Sequence, residues 1–130
     1  MDIKEIIKYW VSLAEYDLEA AKSMYNAGIY LNLGHTCFQL IEKLLTGYYW
    51  KIKKDEPPFD YNLSILMSEL SLRDKLTEEQ RNFLDTLEPF SRRLRNPEGQ
   101  PTSFTKEKSL EIITGTENLY KKILQLINQD

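Results

Sequence analysis

Five stretches of the chain repeat apolar residues on a helical period. In the first, from about Asp2 to Ala27, Ile3, Ile7, Val11, Ala14, Leu18, Ala21 and Tyr25 recur at alternating four- and three-residue spacing. That is the pattern of one buried face on a helix. Ile6, Trp10, Leu13, Ala20 and Met24 widen the stripe, and Gly28 supplies a stop. The second stretch, about Tyr30 to Lys53, is the most apolar. At about 100° per residue, Leu31, Phe38, Ile41, Leu45, Tyr48 and Ile52 form one stripe, with Leu33, Cys37, Leu40 and Leu44 beside it. More than half of its circumference is apolar, which predicts contact with several neighbouring helices or with a partner subunit.

The remaining elements are shorter or better punctuated. A third helix fits Asn62 to Leu72, with Leu63, Leu66, Met67 and Leu70 on one face. The fourth opens on Thr77-Glu78-Glu79-Gln80, a capping box, and turns Phe83, Leu87, Phe90 and Leu94 inward. Pro89 falls inside it and predicts a kink, because its ring clashes with the carbonyl of Asp85. The fifth runs from about Thr105 to Asn128 on Leu110, Ile113, Leu119 or Tyr120, Ile123, Leu126 and Ile127. Between them, Pro57-Pro58 enforces an extended joint and Asn96-Pro97-Glu98-Gly99-Gln100-Pro101 reads as a loop. No stretch alternates with the period of a strand. Long helices with short connections predict an all-α, antiparallel up-and-down bundle of four to five helices. At 130 residues it fits a single domain, 1–130.

Composition narrows the chemistry. With 17 Lys and Arg against 20 Asp and Glu, the net charge of −3 does not suit a protein that coats nucleic acid, though it allows a local basic patch. The single cysteine, Cys37, excludes an internal disulfide and a thiolate cluster, and the single histidine, His35, excludes an imidazole zinc site. No metal and no cofactor are expected. Met1–Ile7 mixes Asp2, Lys4 and Glu5 among isoleucines, unlike a signal peptide, and no run approaches the ~18 apolar residues of a membrane span. The expected setting is the reducing cytoplasm, away from membranes.

Polar residues on apolar helices mark the candidate chemistry. His35, Gln39, Glu42 and Thr46 lie along one edge of the second helix, beside Phe38 and Tyr49. They read either as the polar lining of a pocket or as a half-buried network with Glu42 paired to an arginine such as Arg95. Asp17, between Leu13 and Ala20, is a partner for a cation or a contributor to a phosphate or nucleotide site. Tyr48, Tyr49 and Trp50 beside Lys51, Lys53 and Lys54 suit a subunit contact or a surface that stacks bases. Arg92, Arg93 and Arg95 form a cationic helix end, or bind an anion.

Three local patterns, in order, resemble the HEPN domain family. They are Trp10-x3-Ala14-x2-Asp17-Leu18-x2-Ala21; then Gly28-x-Tyr30 followed by Gln39-x2-Glu42-Lys43; then Leu87-Glu88-Pro89-Phe90-Ser91-Arg92-Arg93-Leu94-Arg95-Asn96-Pro97-Glu98. The last resembles a family stretch reading Leu-Asn-Pro-Tyr-Tyr and, three residues later, Arg-Tyr-Pro-Asp, with the same proline-to-arginine spacing. Phe90 and Asn96 stand where tyrosines are common, Tyr61 where many relatives carry the histidine of a His-x-Leu pattern, and Thr46 where a lysine often follows. The resemblance covers most of the chain and implies a small helical bundle that dimerises. It also implies work beside a minimal nucleotidyltransferase, often in a toxin–antitoxin pair.

Catalytic relatives carry an arginine separated by four to six residues from a histidine and cleave RNA without metal. Arginine grips a phosphate through two hydrogen bonds, and histidine moves the proton of a 2′-hydroxyl near neutral pH. Arg95-Asn96 matches the start of that motif, but the histidine positions hold Gln100, Pro101 and Thr102, and no histidine follows. Two expectations result. One is a non-catalytic, dimeric partner of a nucleotidyltransferase that binds nucleotide or RNA near Arg95, Asn96 and Arg92, with Glu42, Gln39 and Asp17 as further ligand-binding candidates. The other is a divergent ribonuclease using Arg95 with Asn96, Gln100 or Tyr61. Asparagine and glutamine position a group but do not exchange its proton.

Overall fold

The carboxylate of Asp2 accepts the Glu5 amide at 2.9 Å, satisfying one of the amides left without a partner at a helix start. It thereby caps α1 (Ile3–Asn26). The computed structural model describes residues 1–58, 62–91 and 105–129. After α1, Gly28 takes φ +73°, a left-handed conformation that glycine adopts without a side-chain clash. α2 (Leu33–Lys53) follows, then α3 (Leu63–Glu69), α4 (Glu78–Leu87) and α5 (Lys106–Asn128), with 3₁₀ turns at Leu72–Lys75 and Glu88–Phe90.

The five helices fall where the periodicity places them, and the described residues hold no strand. The capping box of α4 forms in both directions: Thr77 Oγ1 accepts the Gln80 amide at 3.1 Å, and Gln80 Oε1 accepts the Thr77 amide at 2.9 Å. Two elements differ from expectation. The third helix closes before Leu72, where Ser71 turns to φ 50° and a 3₁₀ turn takes over. Pro89 does not kink a continuing α4. The helix ends at Leu87, and the proline sits in the first turn of a 3₁₀ segment, where its missing N–H costs nothing.

α2 touches every other helix. It runs antiparallel to α1, with Gly47 against Trp10 at one end and the Thr36 hydroxyl on Met24 Sδ at the other. It runs parallel to α5. Lys51 Nζ donates to the carbonyls of Leu126 at 2.9 Å and Ile127 at 2.7 Å, and to that of Gln129, capping the end of α5 with a cation. α4 lies antiparallel to α5, with Phe83 over Gly115 and Gln80 bonded to Asn118. The architecture is therefore an up-and-down bundle around α2.

Some residues placed in the stripes are exposed. Leu31 precedes the first turn of α2, Ile52 lies in its last turn, and Leu110 sits about 120° around α5 from the buried Thr116. Tyr48 and Tyr49 depart in the other direction, being buried in the core. With Lys51 committed to α5 and Lys53 to Glu69 at 3.7 Å, this end of α2 offers no aromatic platform of tyrosines for bases or for a partner.

Cys37 is fully buried, and burial pushes its thiol up to about 12, against a lowering by Thr116 and with a further rise from Glu117. A thiol so rarely ionised is a poor nucleophile. An aromatic disulfide reagent at neutral pH should leave the native protein unmodified and label one thiol per chain after denaturation. Rapid labelling of the native state would contradict this burial.

Candidate functional site

The α2 edge that carries His35, Gln39, Glu42 and Thr46 is not uniform once folded. Gln39 is exposed, His35 and Glu42 are half-buried, and Thr46 is buried, its hydroxyl donating to the Glu42 carbonyl at 2.9 Å. Only Glu42 of the four faces a cavity of about 490 Å³ between α2, α3 and α4. Phe38, Leu63, Met67 and Leu84 make its apolar floor, while Asp85, Glu88, Arg73, Asn62 and Ser91 supply its polar rim. The sequence reading missed Arg73, Asp85 and Glu88. The three-residue spacing of Asp85 and Glu88 beside the inward Leu84 and Leu87 was the available signal.

Burial pushes the Glu42 carboxyl up from its ordinary 4.5; His35 and then Lys43 oppose the shift, and Glu88 adds to it. Glu42 makes no ion pair with another described residue. The folded state therefore holds a proton that the unfolded chain has released, between the unfolded value and the raised one. Stability falls as pH rises through that window, and the cost is fully present above it. Glu42→Gln should raise the thermal midpoint at pH 7 and leave it unchanged near pH 3, where both states are protonated. An equal shift at both pH values would contradict the assignment.

His35 fixes the far wall. Its Nδ1–H donates to the carbonyl of Phe90 at 3.0 Å, tying α2 to the turn that follows α4. The Phe90 ring is buried and packs directly on Gly34, where an added Cβ would lie 2.5 Å from the ring. Ser91, next in the chain, lines the cavity and is the last described residue before Arg92. Arg92, Arg93, Arg95 and Asn96 lie outside the described residues, as do Tyr61, Gln100, Pro101 and Thr102.

Asp17 is not brought to this cavity. It pairs with Lys43 across the α1–α2 contact at 2.6 Å, in the role of partner for a cation. Among the described residues no group of acids, cysteine and histidine has the arrangement of a metal site. No described helix is long and apolar enough to cross a membrane.

A family model described as the HEPN domain matches residues 7–126. The match spans α1 to the last turn of α5, and the chain belongs to the HEPN domain family. Comparison with curated proteins and comparison with solved structures both returned no match.

Proposed function

We propose that this chain is a non-catalytic HEPN protein: a dimeric helical partner of a minimal nucleotidyltransferase, in a toxin–antitoxin-like pair within the cytoplasm. It binds nucleotide or RNA through Arg95, Asn96 and Arg92, with Glu42 contributing from the cavity that Ser91 lines. The disposition of the one histidine supports this reading most. Ribonuclease relatives place a histidine shortly after the motif arginine, whereas here the only histidine is His35 on α2, spending its Nδ1–H on the Phe90 carbonyl. Arginine alone binds and neutralises a phosphate but does not exchange protons at neutral pH. An Arg95 without a base suits binding better than cleavage.

The resemblance to small stand-alone HEPN proteins that work beside nucleotidyltransferases supports the partnership, and the cavity offers a partner or ligand both apolar floor and charged rim. Isolation of the tagged full chain from its native cell, followed by mass measurement of the intact complex, tests the partnership. The expected result is two copies of this chain with a nucleotidyltransferase-fold protein. A chain recovered only as a monomer, or only as a homodimer, would overturn it.

A further inference from the structure

The cavity between α2, α3 and α4 carries its polar groups at two depths. Asn62, Arg73, Asp85, Glu88 and Ser91 stand exposed at the rim, whereas Glu42 is half-buried on the central helix. Phe38, Leu63, Met67 and Leu84 beside it are buried, so a group that reaches Glu42 lies against apolar walls. The volume of about 490 Å³ falls within the roughly 300–1,000 Å³ of small-ligand sites. No other described residue satisfies the Glu42 carboxylate, through an ion pair or through a hydrogen bond. An ionised carboxylate only accepts, and it can take two parallel N–H donors. Burial makes its charge costly while it takes none.

We infer that the cavity receives an unpaired guanine of RNA, whose N1–H and N2–H groups donate side by side to Glu42. This rests on the RNA binding proposed above and assigns it a base. The carboxylate selects for two adjacent donors, and guanine presents them. Adenine and cytosine set one amino group beside a ring-nitrogen acceptor, which would face the lone pairs of the second carboxylate oxygen. Uracil sets its one N–H between two carbonyls. Beside its N1–H guanine also carries the O6 acceptor. Asn62 spends Oδ1 on the Ile65 amide at 2.9 Å, so its amide nitrogen is the end left to donate there. The lining sets the carboxylates of Glu42, Asp85 and Glu88 against the guanidinium of Arg73, which excludes phosphate and admits the uncharged part of a nucleotide. Asp85 and Glu88, neighbours on one helical face, suit the sugar hydroxyls, as an acidic residue does in other ribose sites. Splayed-out bases read on this edge are the usual targets of specific RNA recognition.

Fluorescence anisotropy on the full chain tests this, with short single-stranded uridine RNAs that carry one guanine or one adenine. The wild type should bind the guanine RNA about tenfold more tightly, within the discrimination of a good two-bond base contact. Glu42→Gln, expected above to be the more stable protein at pH 7, should lose that preference or turn it towards adenine, because an amide offers one donor and one acceptor. Arg95→Ala should weaken both RNAs alike and keep the preference, since phosphate contacts carry no base information. Equal binding of the two RNAs by the wild type, or a guanine preference that survives Glu42→Gln, would overturn the guanine site and leave RNA binding standing. Binding of neither RNA would overturn the site together with the RNA binding on which it rests.

Discussion

Phe90→Ala is expected to destabilise the fold by about 3–5 kcal/mol, the usual cost of deleting a buried aromatic ring. The ring is 3% exposed and fills the space that Gly34 leaves on α2. It also sets the height of the backbone whose carbonyl receives His35. Because ring and glycine share one space, their substitutions should not add. Gly34→Ala alone should destabilise, since overpacking of about 1–3 kcal/mol outweighs the roughly 1 kcal/mol that alanine gains in a helix. In the Phe90→Ala background the same change should stabilise. Urea denaturation of the four proteins measures the coupling, and simple additivity would contradict the Gly34–Phe90 contact.

Asp17→Ala carries the next largest expected effect. The Lys43–Asp17 pair, at 2.6 Å with side chains 29% and 17% exposed, is neither a surface pair nor a fully buried one. Exposed pairs contribute about 0–1 kcal/mol, while breaking a buried pair costs about 3–5 kcal/mol, because a charge is left in the interior without its partner. A loss of about 1–2 kcal/mol is expected for Asp17→Ala, between those limits. Lys43→Met in the same chain should recover much of it by removing the stranded ammonium. If the double variant is no more stable than Asp17→Ala, the cost arises from lost α1 packing rather than from the charge.

Much of the fold was legible in the sequence because each long helix announces itself locally. The four- and three-residue steps of Ile7, Val11, Ala14 and Leu18, and the reciprocal Thr77–Gln80 cap, depend only on neighbours along the chain. The candidate site was less legible because its contacts are remote. His35 and Phe90 are 55 residues apart, and Gly34 reveals its purpose only when the ring that covers it is known. Polar spacing placed Gln39 and Glu42 on one edge, but the helices packed against α2 bury the Glu42 side and leave Gln39 in water. The tyrosines beside lysines at the end of α2 suggested a surface, whereas the core claims both. Aromatic residues with a polar tip suit either place, so composition could not separate them.

Belonging to the HEPN family fixes what the protein is built from, and the missing histidine frames what it does. Glu42, whose charge burial disfavours and which lines a cavity with a charged rim, is where the fold and the proposed binding role meet. Whether Arg95 binds or cleaves is the question on which the account turns.

RNA cleavage by the purified chain in the absence of metal tests that most directly, with Arg95→Ala and a HEPN ribonuclease of intact arginine–histidine motif alongside. The account predicts no cleavage by the wild type under conditions where the ribonuclease is active. Cleavage by the wild type that disappears in Arg95→Ala would contradict it and make this chain an enzyme.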